Sequence, residues 1–159
     1  MKKIKERKLV SVVAMARSTA WFMLWLLPLG GVSAQALLLY GGKDHNVFLG
    51  CLNCSDMDTG SVWNTMGDYG SPYSHLSIWN RYGDYGSRYS DYSPWNPYAA
   101  YPPVVVDASG GFYGYLTVNS THPDRAEFDL ALLLYRFYDL IRDDPAKWYD
   151  KIFEKTGGF

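Results

Sequence analysis

Ser61-Val62-Trp63-Asn64 recurs as Ser77-Ile78-Trp79-Asn80 and again as Ser93-Pro94-Trp95-Asn96, with a period of 16 residues. Between these anchors Gly67-Asp68-Tyr69-Gly70-Ser71-Pro72-Tyr73-Ser74 matches Gly83-Asp84-Tyr85-Gly86-Ser87-Arg88-Tyr89-Ser90. The third copy stops early, at Tyr98-Ala99-Ala100-Tyr101-Pro102-Pro103. A fixed period of this kind means one structural module stacked on the next, here over residues 61–103. Each Ser is placed to cap a short helical turn, with Pro94 at the first helical position, where its missing N–H costs nothing. The Trp then points inward, and the Asn bonds back to nearby backbone. Gly67 or Gly83 ends the turn in a left-handed conformation. The Tyr-Gly-Ser-x-Tyr-Ser stretch runs extended to the next cap. Between Ser61 and Tyr101 the aliphatic residues are only Val62, Met66, Leu76 and Ile78, against eleven aromatic ones. Rings that bury large areas while keeping a polar tip must therefore do the packing. A Gly/Ser/Tyr-rich run also fits disordered low-complexity sequence, but the strict register and the regular Trp favour order.

On the N-terminal side of the repeat, Ala36-Leu37-Leu38-Leu39-Tyr40 and Val47-Phe48-Leu49-Gly50-Cys51-Leu52 are apolar runs separated by turn chemistry at Gly41–Asn46, a hairpin pattern. On the C-terminal side, Pro103-Val104-Val105-Val106-Asp107 and Phe112–Val118 flank Ala108-Ser109-Gly110-Gly111, a second hairpin. Two helices follow over 123–156. Pro123 or Asp124 opens the first, whose apolar face carries Leu130, Leu134, Phe137 and Ile141. Asp144 caps the second, with Pro145 at its first position and Gly157-Gly158 at its end. The expected fold is α+β: a small antiparallel sheet from two hairpins, aromatic 16-residue repeats of short turns along one side, and two C-terminal helices as a lid on the other.

The chain of 159 residues opens on a basic stretch, followed by Ala20–Leu29, an apolar run broken by Gly30-Gly31. Val32-Ser33-Ala34 and Ala34-Gln35-Ala36 are small-x-small cleavage signals. Residues 1–36 are thus expected to be a cleaved signal peptide and 37–159 a single periplasmic or secreted domain. The apolar run is short for a membrane span and contains Pro28, and no later run is long enough for one. Six of the 15 basic side chains and one of the 16 acidic ones fall in residues 1–36, which leaves nine against fifteen and a net charge of −6. That balance argues against a nucleic-acid partner, which needs a basic face.

Tyr40-Gly41-Gly42-Lys43-Asp44, Phe48-Leu49-Gly50-Cys51-Leu52-Asn53-Cys54, the Trp-Asn repeats, and Pro102–Asp107 leading into Phe112-Tyr113-Gly114-Tyr115 resemble a group of small exported bacterial proteins. The resemblance covers most of residues 38–118. It implies export, and it brings no activity or site residue with it.

Cys51 and Cys54 form a C-x-x-C pair. In an oxidising compartment a structural disulfide is the first expectation. Buried or labile free thiols, half of a metal site, or a redox dithiol are the alternatives. The redox reading needs a helix after the first Cys, whereas turn-like Ser55–Gly60 follows the second. Zinc would need two further ligands, with His45 the nearest in sequence and His75 and His122 standing alone. Asp56-Met57-Asp58-Thr59-Gly60 alternates oxygen ligands as calcium loops do, with Asp68, Asp84 and Asp91 as further donors, but Gly60 stands at the fifth position and no suitably spaced Glu follows. Neither H-E-x-x-H nor G-x-S-x-G occurs, and Gly41-Gly42-Lys43 lacks the rest of a phosphate loop.

The aromatic repeat is the strongest functional candidate. Trp63, Trp79 and Trp95 belong to the core, while Tyr69, Tyr73, Tyr85, Tyr89, Tyr92 and Tyr101 are the candidate binding residues, placed to stack on sugar rings or grip a partner. The expectation is a non-enzymatic binding or interaction protein whose partner is an envelope protein or a glycan. A thiol-disulfide or metal protein centred on Cys51 and Cys54, and a structural assembly subunit of the envelope, are the alternatives.

Overall fold

The computed structural model describes residues 35–154. The expected signal peptide therefore lies, except for Gln35 and Ala36, outside the described residues, as does Gly157-Gly158. Four strands form one antiparallel sheet: β1 (Leu37–Gly41), β2 (Val47–Cys51), β3 (Val104–Asp107) and β4 (Phe112–Tyr115). Their order is β2-β1-β3-β4, so the two expected hairpins sit side by side and join through β1 and β3. At that seam Leu38 faces Val106 and Tyr40 faces Val104.

Both hairpins carry the same irregularity. Phe48-Leu49-Gly50 and Phe112-Tyr113-Gly114 each hold one more residue than the partner strand opposite them. Gly50 (φ 116) and Gly114 (φ 112) take up the extra residue in a conformation that side chains rarely adopt. At the tip of the second hairpin Asp107 accepts N–H bonds from Ser109 (2.8 Å) and Gly111 (2.9 Å). The Gly111 N–H, more than any other neighbour, holds its carboxyl below the usual carboxylate range.

Between the hairpins the chain forms a coil built almost wholly of single turns. Backbone N–H groups of Ser74, Ser77, Asn80 and Gly83 bond to the carbonyls of Ser71, Ser74, Ser77 and Asn80, each three residues back. The Gly83 carbonyl then accepts from Ser87, four residues on, and the sequence of turns begins again. Three-residue steps with one four-residue step produce the 16-residue period. Within the turns, side-chain oxygens reinforce the backbone: Ser71, Ser74, Ser77 and Asn80 accept the N–H of Tyr73, Leu76, Trp79 and Tyr82.

This corrects the expected repeat in three ways. The Ser residues hold isolated turns and not helices, so Pro94 occupies the second place of the turn Ser93–Asn96, where its fixed φ fits. The Tyr-Gly-Ser-x-Tyr-Ser stretch is two further turns and is not extended. Gly67 and Gly83 are not left-handed, since the positive-φ glycines of the described residues lie elsewhere. The glycines the coil needs are Gly70 and Gly86, where a Cβ would overlap the carbonyls of Asn64 and Asn80. The coil also begins before Ser61: Ser55 and Asp58 already accept the N–H groups of Met57 and Gly60 in the same manner.

The indoles of Trp63, Trp79 and Trp95 stack along the coil interior with centroids 5.7 Å apart. Each is 1% exposed. Each indole N–H is taken up by a backbone carbonyl of the preceding layer: Trp79 donates to Val62 (2.5 Å), Trp95 to Ile78 (2.6 Å) and Trp63 to Leu52 (2.7 Å). The Trp column therefore ties successive layers together by both packing and hydrogen bonds.

The helices are α1 (Asp129–Ile141) and α2 (Pro145–Tyr149), the latter continuing into a π-helical turn at Asp150–Glu154. The Asp144 carboxylate caps α2 by accepting the Lys147 N–H, as the sequence predicts. α1 opens six residues after Pro123. Tyr115 exchanges backbone bonds with Asp124 and Ala126, which holds that stretch extended beside β4. Nor do the helices cover the sheet as expected; they lie along the Trp column. Tyr138 of α1 stacks on Trp95 at 4.8 Å and 5°, and Tyr149 and Phe153 close on Trp63 at the other end. Leu130, Leu134 and Ile141 of α1 share one buried core with the three Trp residues, and burying that apolar surface is what holds the helices there. α1 reaches the sheet through Tyr135, whose hydroxyl donates to the Ala126 carbonyl beside β4 at 3.0 Å.

Candidate binding surface

Apart from Asp58–Ser61, which has Gly60 there, every turn of the coil carries a large side chain at its third place, and the direction of that turn decides its fate. Trp79 points inward. Tyr82, from the next turn, and Tyr73, from two turns before, point outward. Residues 16 apart share a direction, so two rows stand on the outer surface: Met57, Tyr73 and Tyr89 form one, and Met66, Tyr82 and Tyr98 the other. All six are 83–96% exposed. Rings of this size left in solvent at matching positions of successive layers are the main apolar feature of the coil exterior.

The candidate tyrosines divide accordingly. Tyr73 and Tyr89 belong to the outer rows. Tyr69, Tyr85, Tyr92 and Tyr101 are half-buried and serve the junction between coil and sheet. Tyr69 packs edge-on against Phe48 of β2 at 4.9 Å. Tyr85 lies over Gly41, and Tyr92 sits between Tyr85 and Tyr101 at 6.4 and 5.7 Å. Burial pushes the Tyr85 hydroxyl up from its ordinary value, with Asp84 adding to the effect. Tyr82, Tyr98 and the two methionines were not among the candidates. The repeat register contains their signal, because positions 66, 82 and 98 are equivalent and carry a bulky apolar or aromatic residue each time.

Between Tyr73 of one row and Tyr82 of the other lies a groove of about 390 Å³, lined also by Arg81 and Arg142, with Trp79 in its floor. Arg81 pairs with Asp143, and Arg88 with Asp139, both pairs joining coil to helix. Arg142 is also within 2.6 Å of Asp139. The Arg142 side chain is only 9% exposed, and its Nε is buried without a hydrogen-bond partner. Burial draws this guanidinium below its ordinary value, opposed by Asp139. Arg88 and Arg142 both lie over the Tyr138 ring, at 5.3 and 5.6 Å.

Cys51 and Cys54 are joined in a disulfide that closes the end of β2 onto the first turn of the coil. Neither cysteine opens a helix. Asp56 accepts the Ser55 hydroxyl and Asp58 the Gly60 N–H, so both carboxylates are engaged in turns. Among the described residues no three His, Cys, Asp or Glu side chains gather as a metal site. His45 bonds the Pro102 carbonyl at 3.0 Å, and the His122 ring packs on Tyr115 at 4.7 Å. Among the described residues no helix is long and apolar enough to cross a membrane. No family model matches the chain, and neither the curated proteins nor the solved structures contain a match to it.

Proposed function

We propose that the chain is an exported, non-enzymatic binding protein that holds an envelope protein or glycan on the outer aromatic rows of its coil. The observation that carries this reading is the pairing of opposites in one repeat: the Trp residues are wholly consumed by the core, while Tyr73, Tyr82, Tyr89 and Tyr98 remain almost fully in solvent. Exposed, ordered rings on a rigid scaffold are a low-entropy means of contact. The disulfide and the N-terminal export signal expected from the sequence support a place in the periplasm or outside the cell. The test is co-sedimentation with isolated envelope material. Wild type is retained, and Tyr73→Ala/Tyr82→Ala/Tyr98→Ala is released while its circular dichroism stays unchanged. Equal retention of the variant removes the reading.

The outer face of the sheet favours a second reading, a subunit of an assembly. Leu38, Tyr40, Val104 and Val106 line a shallow depression there, and Phe112 beside them is 55% exposed. Sedimentation velocity over a concentration series tests it: self-association abolished by Val106→Lys supports an assembly through this face, and a monomer at all concentrations rejects it.

A further inference from the structure

Building on the binding reading above, we infer that the groove between the two aromatic rows takes a linear glycan bearing carboxylate groups. Three observations converge on that ligand. The first is spacing. The indoles of successive layers lie 5.7 Å apart between ring centroids, and each outer row presents one ring per layer. This is the scale of one pyranose ring in an extended polysaccharide, whose C–H faces stack on tyrosine.

The second is the state of the backbone. A peptide bound as an added strand needs free N–H and C=O groups. Along the groove three N–H groups are already engaged: those of Tyr73, Asn80 and Tyr82 bond to Ser71 Oγ, the Ser77 carbonyl and Asn80 Oδ1. Recognition is left to rings and guanidinium groups.

The third is charge. Arg142 lines the groove with its side chain nine-tenths buried and its Nε unpartnered, and Arg81 stands at the rim. Three guanidinium groups, those of Arg81, Arg88 and Arg142, meet only two carboxylates, those of Asp139 and Asp143. A planar carboxylate on the ligand matches the fork geometry of arginine. Asp143, which pairs with Arg81 in the free protein, occupies the place that such a carboxylate would take, so binding exchanges one carboxylate for another.

Affinity electrophoresis and calorimetry of the full protein against four probes test this inference. The probes are polygalacturonate, the same polymer with its carboxyl groups reduced, soluble peptide-free peptidoglycan strands and polyglutamate. Expected is binding to polygalacturonate or to peptidoglycan strands, the arm that binds identifying a uronate or a lactyl carboxylate as the source. Tyr82→Ala weakens it about tenfold, and Tyr82→Trp restores it. Arg81→Gln weakens it severalfold, and Asp143→Asn, by freeing Arg81, strengthens it. Equal affinity for the carboxyl-reduced polymer overturns the anionic part. Binding of polyglutamate in place of the glycans, or of none of the four, overturns the inference. If envelope material is still held through Tyr73 and Tyr82 in that case, the broader binding reading survives; if it is not, both fall.

Discussion

The inner and outer surfaces of the coil are made by the same turns, yet they hold aromatic residues in opposite conditions. Trp79 has rings on both sides, a carbonyl for its indole N–H and almost no contact with water. Tyr82, three residues on and at the same place in the next turn, is 96% exposed. The backbone conformation around the two is alike, since a side-chain oxygen two residues back, from Ser77 or Asn80, accepts the N–H of each. What differs is the direction of the turn. Stability is thus concentrated on one surface of the coil and availability for contact on the other, and the two separate under substitution.

Trp79→Ala should show the largest effect, a loss of about 3–5 kcal/mol in denaturant unfolding, because it empties the middle of the column. A loss under about 1 kcal/mol would break the contrast at its inner side. Gly86→Ala drives a methyl group into the Asn80 carbonyl and should cost about 2–3 kcal/mol. Gly83→Ala, where a side chain meets only the Asn80 amide, serves as its milder control. Tyr135 sharpens the contrast by titration. Burial pushes its hydroxyl up from 10.0 to about 12. A raised folded-state value contributes stability that is complete below pH 10 and is lost as pH rises towards 12, and the Coulombic pull of Arg125 moderates the shift. An alkaline unfolding limb in that window should therefore flatten in Tyr135→Phe. Ser77→Ala leaves the buried Trp79 N–H without its side-chain partner and should cost about 1–2 kcal/mol in the same assay. The smallest change in stability, within about 0.5 kcal/mol, is expected for Tyr73→Ala and Tyr82→Ala, and a larger one would mean that the outer rows also serve the fold.

Much of this division was legible in the sequence, and the rest was hidden for identifiable reasons. Alternating apolar runs around glycine-rich turns specify both hairpins, and the C-x-x-C spacing with the export signal points to the disulfide. The 16-residue register fixes which residues are equivalent, and the lone Trp in each unit marks the core. The register does not fix direction. Tyr85 and Tyr82 are the same residue type three places apart in one unit, but the turn each belongs to sends one towards the sheet and the other outward. The turns themselves were masked because a Ser that caps a helix and a Ser that caps a single turn make the same bond two residues on. The apolar faces of the helices require only an apolar surface to cover, so their pattern fits the sheet as well as the Trp column, and the sequence does not reveal which of the two they take.

Tyrosine nitration mapped by mass spectrometry, with and without envelope material, tests the central claim most directly. The account predicts that Tyr73, Tyr82, Tyr89 and Tyr98 are modified in the free protein and protected when it is bound, while Tyr135 is spared in both states. Full modification of the four outer tyrosines in a protein demonstrably bound to that material would contradict it, and would move the contact to another surface of the molecule.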